Sequence, residues 1–334
     1  MVEVATAAHA SQTANVRPLL THARCAVRVP GSTSNLGAGF DCVGVAVDRW
    51  LSIHVTVGGD AQTTIERRGT LAALDLLPER DLIVRGFVAA CDAAHVAAPP
   101  LHIEADSTIP VGRGLGSSAA ACVAGALAAN ELLALGFDAD AIVNVAANIE
   151  GHPDNVAPAV HGGAVLGVRT AAVHDAATSG AWYVARLRVD PSLRLAFAIP
   201  DFEIATRSAR SVLPRDVEFA TAVDAAARAA ALVAGLASGD HSLLRAGFDD
   251  VLHVPHRRAL IPGYDAAVAA AIAHGAYGAT LSGSGSSIVA VAPPSSAAAV
   301  AAAMCDAWRE IGVVATTLVS AGEVPGATVT RAHS

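Results

Sequence analysis

Lysine is absent from this chain: all 22 basic residues are arginine. Without lysine there can be no G-x-x-x-x-G-K-[ST] phosphate loop, no Schiff base and no lysine general base. Aromatic residues are scarce, 4% against 53% hydrophobic overall, so the interior is built from small aliphatic side chains. Cysteine is sparse too. Cys25, Cys42, Cys91, Cys122 and Cys305 are odd in number and form no Cys-x-x-Cys pair. That spacing excludes a disulfide framework and a cysteine zinc site, and suits core thiols in a reducing cytoplasm. Long apolar runs are also lacking. The alanine-rich stretch 222–237 is broken by Asp224 and Arg228, and 296–307 falls short of the roughly 20 residues of a membrane span. A soluble protein is expected, and 334 residues suggest two domains. The net charge of −8 argues against nucleic-acid binding, which needs a basic surface. A local phosphate site remains open.

Residues 1–23 show no sustained period and no basic start before an apolar core, so a disordered tail is expected, not a secretory signal. Alternation predicts strands at 23–30, stopping at Pro30, and then at 45–47, 51–57 and 101–105. Helical spacing predicts helices over 81–94 and 117–135, the second ended by Gly136, and another over 138–148. Strands are expected at 162–168 and 193–199. Residues 170–181 are the linker or hairpin candidate between domains placed at 24–180 and 181–325. Beyond it, helices at 217–236, 240–250, 265–274 and 295–311 flank strands at 278–281 and 287–292. The mixture indicates an α+β fold.

The strongest chemical signal is Pro110-Val111-Gly112-Arg113-Gly114-Leu115-Gly116-Ser117-Ser118-Ala119-Ala120. Alternating glycines let backbone approach a ligand closely, and two serines then open a helix whose first N–H groups have no internal partner. With the helix dipole, that end can hold a phosphate chain without lysine. A dinucleotide loop fits badly: the sixth position of Gly112–Ser117 is Ser, and the helix continues where a second strand should follow. A second glycine-serine cluster, Leu281-Ser282-Gly283-Ser284-Gly285-Ser286-Ser287, lies between two predicted strands.

Together these segments resemble the GHMP kinases. That family's ATP loop, P-x-x-x-G-L-G-S-S-A-A, is reproduced from Pro110 to Ala120, and its third motif, L-S-G-S-G-P-[ST], matches Leu281 to Gly285, with Ser286 in place of Pro. Val29 to Asp41 looks like V-P-A-T-S-A-N-L-G-P-G-F-D of the homoserine kinase branch, departing at Gly31, Ser32, Thr33, Ser34 and Ala38 but keeping Asn35 and Asp41. Glu150 to Pro158 is similar to that branch's E-G-H-P-D-N-V-A-P. Thr206 to Pro214 and His253 to Gly263 match two later signatures, and the resemblance spans about residues 24–320.

The resemblance implies a two-domain fold, an N-terminal domain like ribosomal protein S5 domain 2 and a ferredoxin-like C-terminal domain, with ATP and substrate meeting between them. It implies that Pro110 to Ala120, with Gly283 and Gly285, bind ATP. Glu150, Ser117 and Ser118 become the catalytic expectations. Mg²⁺ would sit on Glu150 and a loop serine; either serine could reach it, and Ser118 is the expected ligand. For an amino-acid acceptor such as homoserine, Asp41 suits the ammonium, and Arg210 and Arg257 suit the carboxylate. Asn35, His152, Asn155 and Thr206 are candidates to orient the rest. Asp154 is the obvious base by residue type, or else it holds the loop. A homodimer is compatible, and neither a membrane nor a nucleic acid is an expected partner. Rival readings are another GHMP-type kinase, a catalytically silent GHMP-like binding protein, and a nicotinamide-dependent dehydrogenase. The His253–His256 pair lacks a third ligand for a metal.

Overall fold

The structure, a computed structural model, describes residues 23–58, 62–169 and 180–331. The expected tail lies outside these residues apart from Ala23, as does the linker candidate apart from Gly180 and Ala181. In chain order the elements begin with β1 (Arg24–Ser34), β2 (Val43–Val57), β3 (Thr64–Gly69), α1 (Leu82–Ala93), β4 (Leu101–Ser107), α2 (Ser117–Leu133), α3 (Ala139–Glu150), α4 (Val156–His161), β5 (Ala164–Arg169) and β6 (Trp182–Leu187). They continue with β7 (Arg194–Pro200), α5 (Thr206–Ser211), α6 (Phe219–Ser238), α7 (His241–Phe248), α8 (Val254–Arg257), α9 (Tyr264–Ala273), β8 (Gly278–Leu281), β9 (Ile288–Ala292), α10 (Ala297–Glu310), β10 (Ala315–Ala321) and β11 (Thr328–Arg331).

Seven strands make the first sheet, in the order β11-β1-β2-β4-β3, with β5 paired to β2 and β6 to β5. β2 is long enough to serve two partners along one edge: Val43–Val45 pair with β5, and Leu51–Val57 pair with β4. The expected halt at Pro30 does not occur. β1 runs on to Ser34, and its register against β2 shifts between Pro30 and Gly31. Such a bulge absorbs a proline that cannot donate to the ladder. Sheet membership also crosses the sequence division at 180/181, because β6 closes a hairpin on β5 and β11 returns to β1. α2, lined by small residues, lies buried among β1, α1 and α3.

The second sheet is antiparallel, β10-β7-β9-β8. Along β7, Leu195, Phe197 and Ile199 join the large core, while Ala196 and Ala198 face α9 and α10. Both faces of the strand are therefore covered, which is why it reads as a continuous apolar run rather than an alternation.

Helix ends follow local chemistry. The Asp81 carboxylate accepts from the Ile83 N–H at 2.9 Å to cap α1, and Asp138 and Asp240 cap α3 and α7 in the same way. α2 differs in both respects. Its N-cap is Gly116, at φ 70° and with no side-chain cap, and it stops at a left-handed Ala134 instead of continuing to Gly136. α6 is long and apolar enough to cross a membrane by length and composition. In the fold, its Arg228 pairs with Asp224 at 3.0 Å and also with Asp249, while Leu232 and Leu236 turn into the core.

Candidate active site

The two glycine-serine loops and the end of β1 meet at one point. Ser32 N–H donates to the Leu115 carbonyl at 3.1 Å, and Gly283 N–H donates to the Ser34 carbonyl at 2.9 Å. Ser282 Oγ donates to the Gly114 carbonyl at 2.6 Å, and Ser287 Oγ to the Arg113 carbonyl at 2.7 Å. Gly114 has φ +70°, and a Cβ there would lie 2.1 Å from the Ser282 carbonyl oxygen. At Gly116, also at φ +70°, it would lie 2.1 Å from Ser32 Oγ. These positions need glycine because protein packs against them, not only because a ligand approaches. Ser286, where the family motif has proline, is buried and donates from Oγ to the Phe202 carbonyl at 2.7 Å.

Above this junction opens a cavity of about 720 Å³. Its wall includes Pro110 through Ser118, Glu150, and Gly283 with Ser284, together with the apolar Leu71, Leu74, Leu76 and Leu82. That leucine cluster went unread in the sequence; the run Leu71-Ala72-Ala73-Leu74-Asp75-Leu76-Leu77 carries its signal. Ser118 Oγ donates to Glu150 Oε2 at 2.9 Å, so the serine and the acid are already adjacent. A hydroxyl and a carboxylate oxygen are hard donors of the kind Mg²⁺ takes alongside phosphate and water. Among the described residues no group of three or more His, Cys, Asp or Glu could hold a metal without such help. Cys122 reaches Glu150 Oε1 only at 3.8 Å, and burial, with the Glu150 charge, pushes its thiol well up, so it stays a thiol.

Arg113 lines the cavity, but its guanidinium is taken up by protein partners, among them Glu203, which also lines it. Nε donates to the Pro200 carbonyl at 2.8 Å, Nη2 to the Asp201 carbonyl at 2.7 Å, and Nη1 pairs with Glu203 at 2.8 Å. It ties the loop to the end of β7. Ala119 and Ala120 are fully buried beneath the loop and do not reach the cavity wall, and Gly285 also lies off it.

The cavity wall also carries Asn35, His152, Asn155, Thr206, Arg210 and Arg257. Asn35 is buried with both amide groups engaged: Nδ2 donates to the Gly283 carbonyl at 2.9 Å, and Oδ1 accepts from Asp41 N–H at 2.8 Å. Asn155 is engaged as well, with Nδ2 donating to Ser34 Oγ at 2.8 Å and Oδ1 accepting from Ser32 Oγ at 3.0 Å. Thr206 Oγ1 sits 3.3 Å from Ser284 Oγ. His152 Nδ1 donates to Asp154, whose other oxygen is buried without a partner. Burial pulls the His152 pKa down, but the Asp154 hydrogen bond and charge outweigh it and hold the imidazole above its ordinary value. Asp154 thus holds the histidine and its loop, and it does not line the cavity.

Arg257 is 1% exposed. Its Nε donates to the Ala209 carbonyl at 3.0 Å, and its guanidinium carbon lies 5.0 Å from the centre of the Phe40 ring. Burial, then the neighbouring Arg210 charge, pushes its pKa down to about 10, which leaves it charged at neutral pH. Arg210 forms a bidentate pair with Asp41, Nη1 to Oδ2 at 3.0 Å and Nη2 to Oδ1 at 2.9 Å. Asp41 itself does not line the cavity. His253 Nε2 donates to the Gly37 carbonyl at 2.9 Å and its ring stacks on Phe40, while His256 is exposed, so the two histidines do not converge.

Comparison with known proteins places this geometry. The profile described as GHMP kinases N terminal domain matches residues 81–163, and the one described as GHMP kinases C terminal matches 224–310. The homoserine kinase of Trichormus variabilis is 40% identical over 304 residues, covering 90% of this chain and 97% of that protein. The crystal structure of homoserine kinase from Cytophaga hutchinsonii superposes with a TM-score of 0.81 at 29% identity, covering 95% of this chain and 100% of that one. L. major mevalonate kinase, crystallised with R-mevalonate, shares the fold at a TM-score of 0.64 and 16% identity, over 92% of this chain and 100% of that one.

Proposed function

The chain belongs to the GHMP kinases and has their two-domain fold, and from that premise we propose that it phosphorylates L-homoserine with ATP. The product is O-phospho-L-homoserine, on the route to threonine. The observation that carries this reading is a single cavity lined both by an uncapped helix N-terminus with Ser118 and Glu150 and by Arg210 and Arg257. The first set suits a triphosphate and the second an amino-acid carboxylate.

Phosphoryl transfer is mostly positioning and charge stabilisation. The free N–H groups at the start of α2 receive the phosphates, and the leucine-lined end takes the nucleobase. Ser118 and Glu150 would hold Mg²⁺, which when bound neutralises charge on the phosphates. Arg257, held in place by its bond to Ala209, fixes the acceptor carboxylate, and Asp41 takes the ammonium. His152 is held toward its protonated form by Asp154 and acts as a hydrogen-bond donor near the acceptor rather than as a base. No residue is assigned as general base. The proposed setting is the cytoplasm, where the five thiols stay reduced; the described fold leaves all five free.

A coupled ADP-release assay across homoserine, mevalonate, shikimate and galactose tests the assignment. Homoserine should be preferred by a wide margin in kcat/KM. Preference for an acceptor without an amino-acid backbone would overturn it.

A further inference from the structure

The Asp41–Arg210 pair is made from the two side chains that the proposed function needs free. Asp41 is to bind an ammonium and Arg210 a carboxylate, yet each satisfies the other through two hydrogen bonds of 2.9 and 3.0 Å. The pair joins distant parts of the chain, the loop after β1 and the short helix α5. Asp41 sits at φ +54°, with its N–H anchored on Asn35, whereas Arg210 projects a long side chain into the cavity. Nearby, Arg257 has no carboxylate within ion-pair distance among the described residues. Besides the His152–Asp154 pair, these residues therefore hold one ion pair, Asp41–Arg210, and one arginine, Arg257, with no directly paired carboxylate among the described residues.

We infer that the Asp41–Arg210 ion pair is a self-occupied acceptor site that admits zwitterions and resists acceptors carrying only one of the two charges. The inference rests on the reading that homoserine is the acceptor. A zwitterion brings a carboxylate for Arg210 and Arg257 and an ammonium for Asp41, so the internal pair is exchanged for new ones and no charge is stranded. A carboxylate without an ammonium must compete with Asp41 for Arg210. If it wins, the Asp41 carboxylate loses its partner. An amine without a carboxylate faces the mirror problem, leaving Arg210 beside Arg257 with no anion. Because the internal partner is tethered, it competes at high effective concentration. Asp41 is thus more than an ammonium contact: it also penalises ligands that lack an ammonium.

The test is isothermal titration of the full chain with homoserine, 4-hydroxybutanoate (no ammonium) and 3-aminopropan-1-ol (no carboxylate). The variant Asp41→Asn keeps the backbone, since Asn accepts a left-handed φ as readily as Asp. It should bind homoserine more weakly yet bind 4-hydroxybutanoate about two- to fivefold more tightly than the wild type, the range a partly exposed bidentate pair spans. Arg210→Gln should likewise gain affinity for 3-aminopropan-1-ol, and it repeats the test should Asp41→Asn misfold. Single-charge analogues bound no more tightly by the variants would overturn the inference, leaving Asp41 a simple ammonium contact. Failure of the wild type to bind homoserine would instead overturn the proposed function. The analogue comparison reads the ion pair in either case.

Discussion

Replacing Gly114 by alanine should separate two effects that glycine loops usually confound. Gly114 and Gly136 have nearly the same backbone, φ +70° and +75°, so alanine at either position suffers the same left-handed strain, about 1–2 kcal/mol. Around Gly136 a Cβ would meet nothing within 4 Å among the described residues, so strain is the cost there. At Gly114 the added carbon would lie 2.1 Å from the Ser282 carbonyl oxygen and 2.9 Å from that of Gly285, both backbone atoms that cannot rotate away. The two loops must part. Parting them strains or breaks the Ser282–Gly114 and Ser287–Arg113 hydrogen bonds, now 2.6 and 2.7 Å. At about 1 kcal/mol each, their loss brings Gly114→Ala to roughly 3–4 kcal/mol, against about 1–2 kcal/mol for Gly136→Ala. ATP affinity should fall more than about tenfold in Gly114→Ala and stay unchanged in Gly136→Ala, because only the first displaces the start of α2. Urea denaturation and nucleotide titration of the two variants side by side measure both quantities. Equal destabilisation, together with unchanged ATP affinity in Gly114→Ala, would refute the idea that loop-to-loop packing shapes the phosphate site.

Two further outcomes are expected. Glu150→Gln preserves size and a partner for Ser118 but removes the charge, so kcat should drop about 10²–10³-fold with the homoserine KM little changed; steady-state kinetics would contradict the role if KM moved instead. For the His152–Asp154 pair the sign of the pH effect is fixed by the raised folded pKa of His152. Its contribution is fully present below the ordinary histidine value and is lost as pH rises through the higher folded value. The Tm advantage of the wild type over His152→Gln should therefore be largest on the acid side and shrink above neutrality. A flat or growing difference in thermal melts from pH 5 to 9 would count against the pair.

Elements with their own periodicity were legible: α1, α2, α3, α6 and α10 fall within a few residues of their expected places. β3, β6, β10 and β11 were not, for each has few or no fully buried residues and exists by pairing with a strand distant in sequence or across a hairpin. β1 was read too short, and β2 as two separate segments, for a related reason. A bulge at Pro30 and a partner change midway along β2 are properties of the sheet, invisible to a local window. At the site, the residue types in the phosphate loop, Glu150 and the two arginines were plain from the motifs. The direction each side chain takes was not: Arg113 turns to the end of β7, Asn35 braces a loop, and Asp41 binds Arg210.

By itself the sequence determined which chemistries were open. A chain without lysine has no lysine phosphate loop, and alternating glycines before Ser117 open a helix start whose N–H groups suit phosphate instead. Periodicity and motif are local, so one dimension is enough to record them. Only the tertiary structure decided which charged groups neutralise each other and which are left for a ligand, because partners such as Asp41 and Arg210, or Gly114 and Ser282, lie far apart along the chain. Electrostatic and packing energies depend on distance in space, and that distance is set only once the fold brings the loops and helix ends around the cavity together.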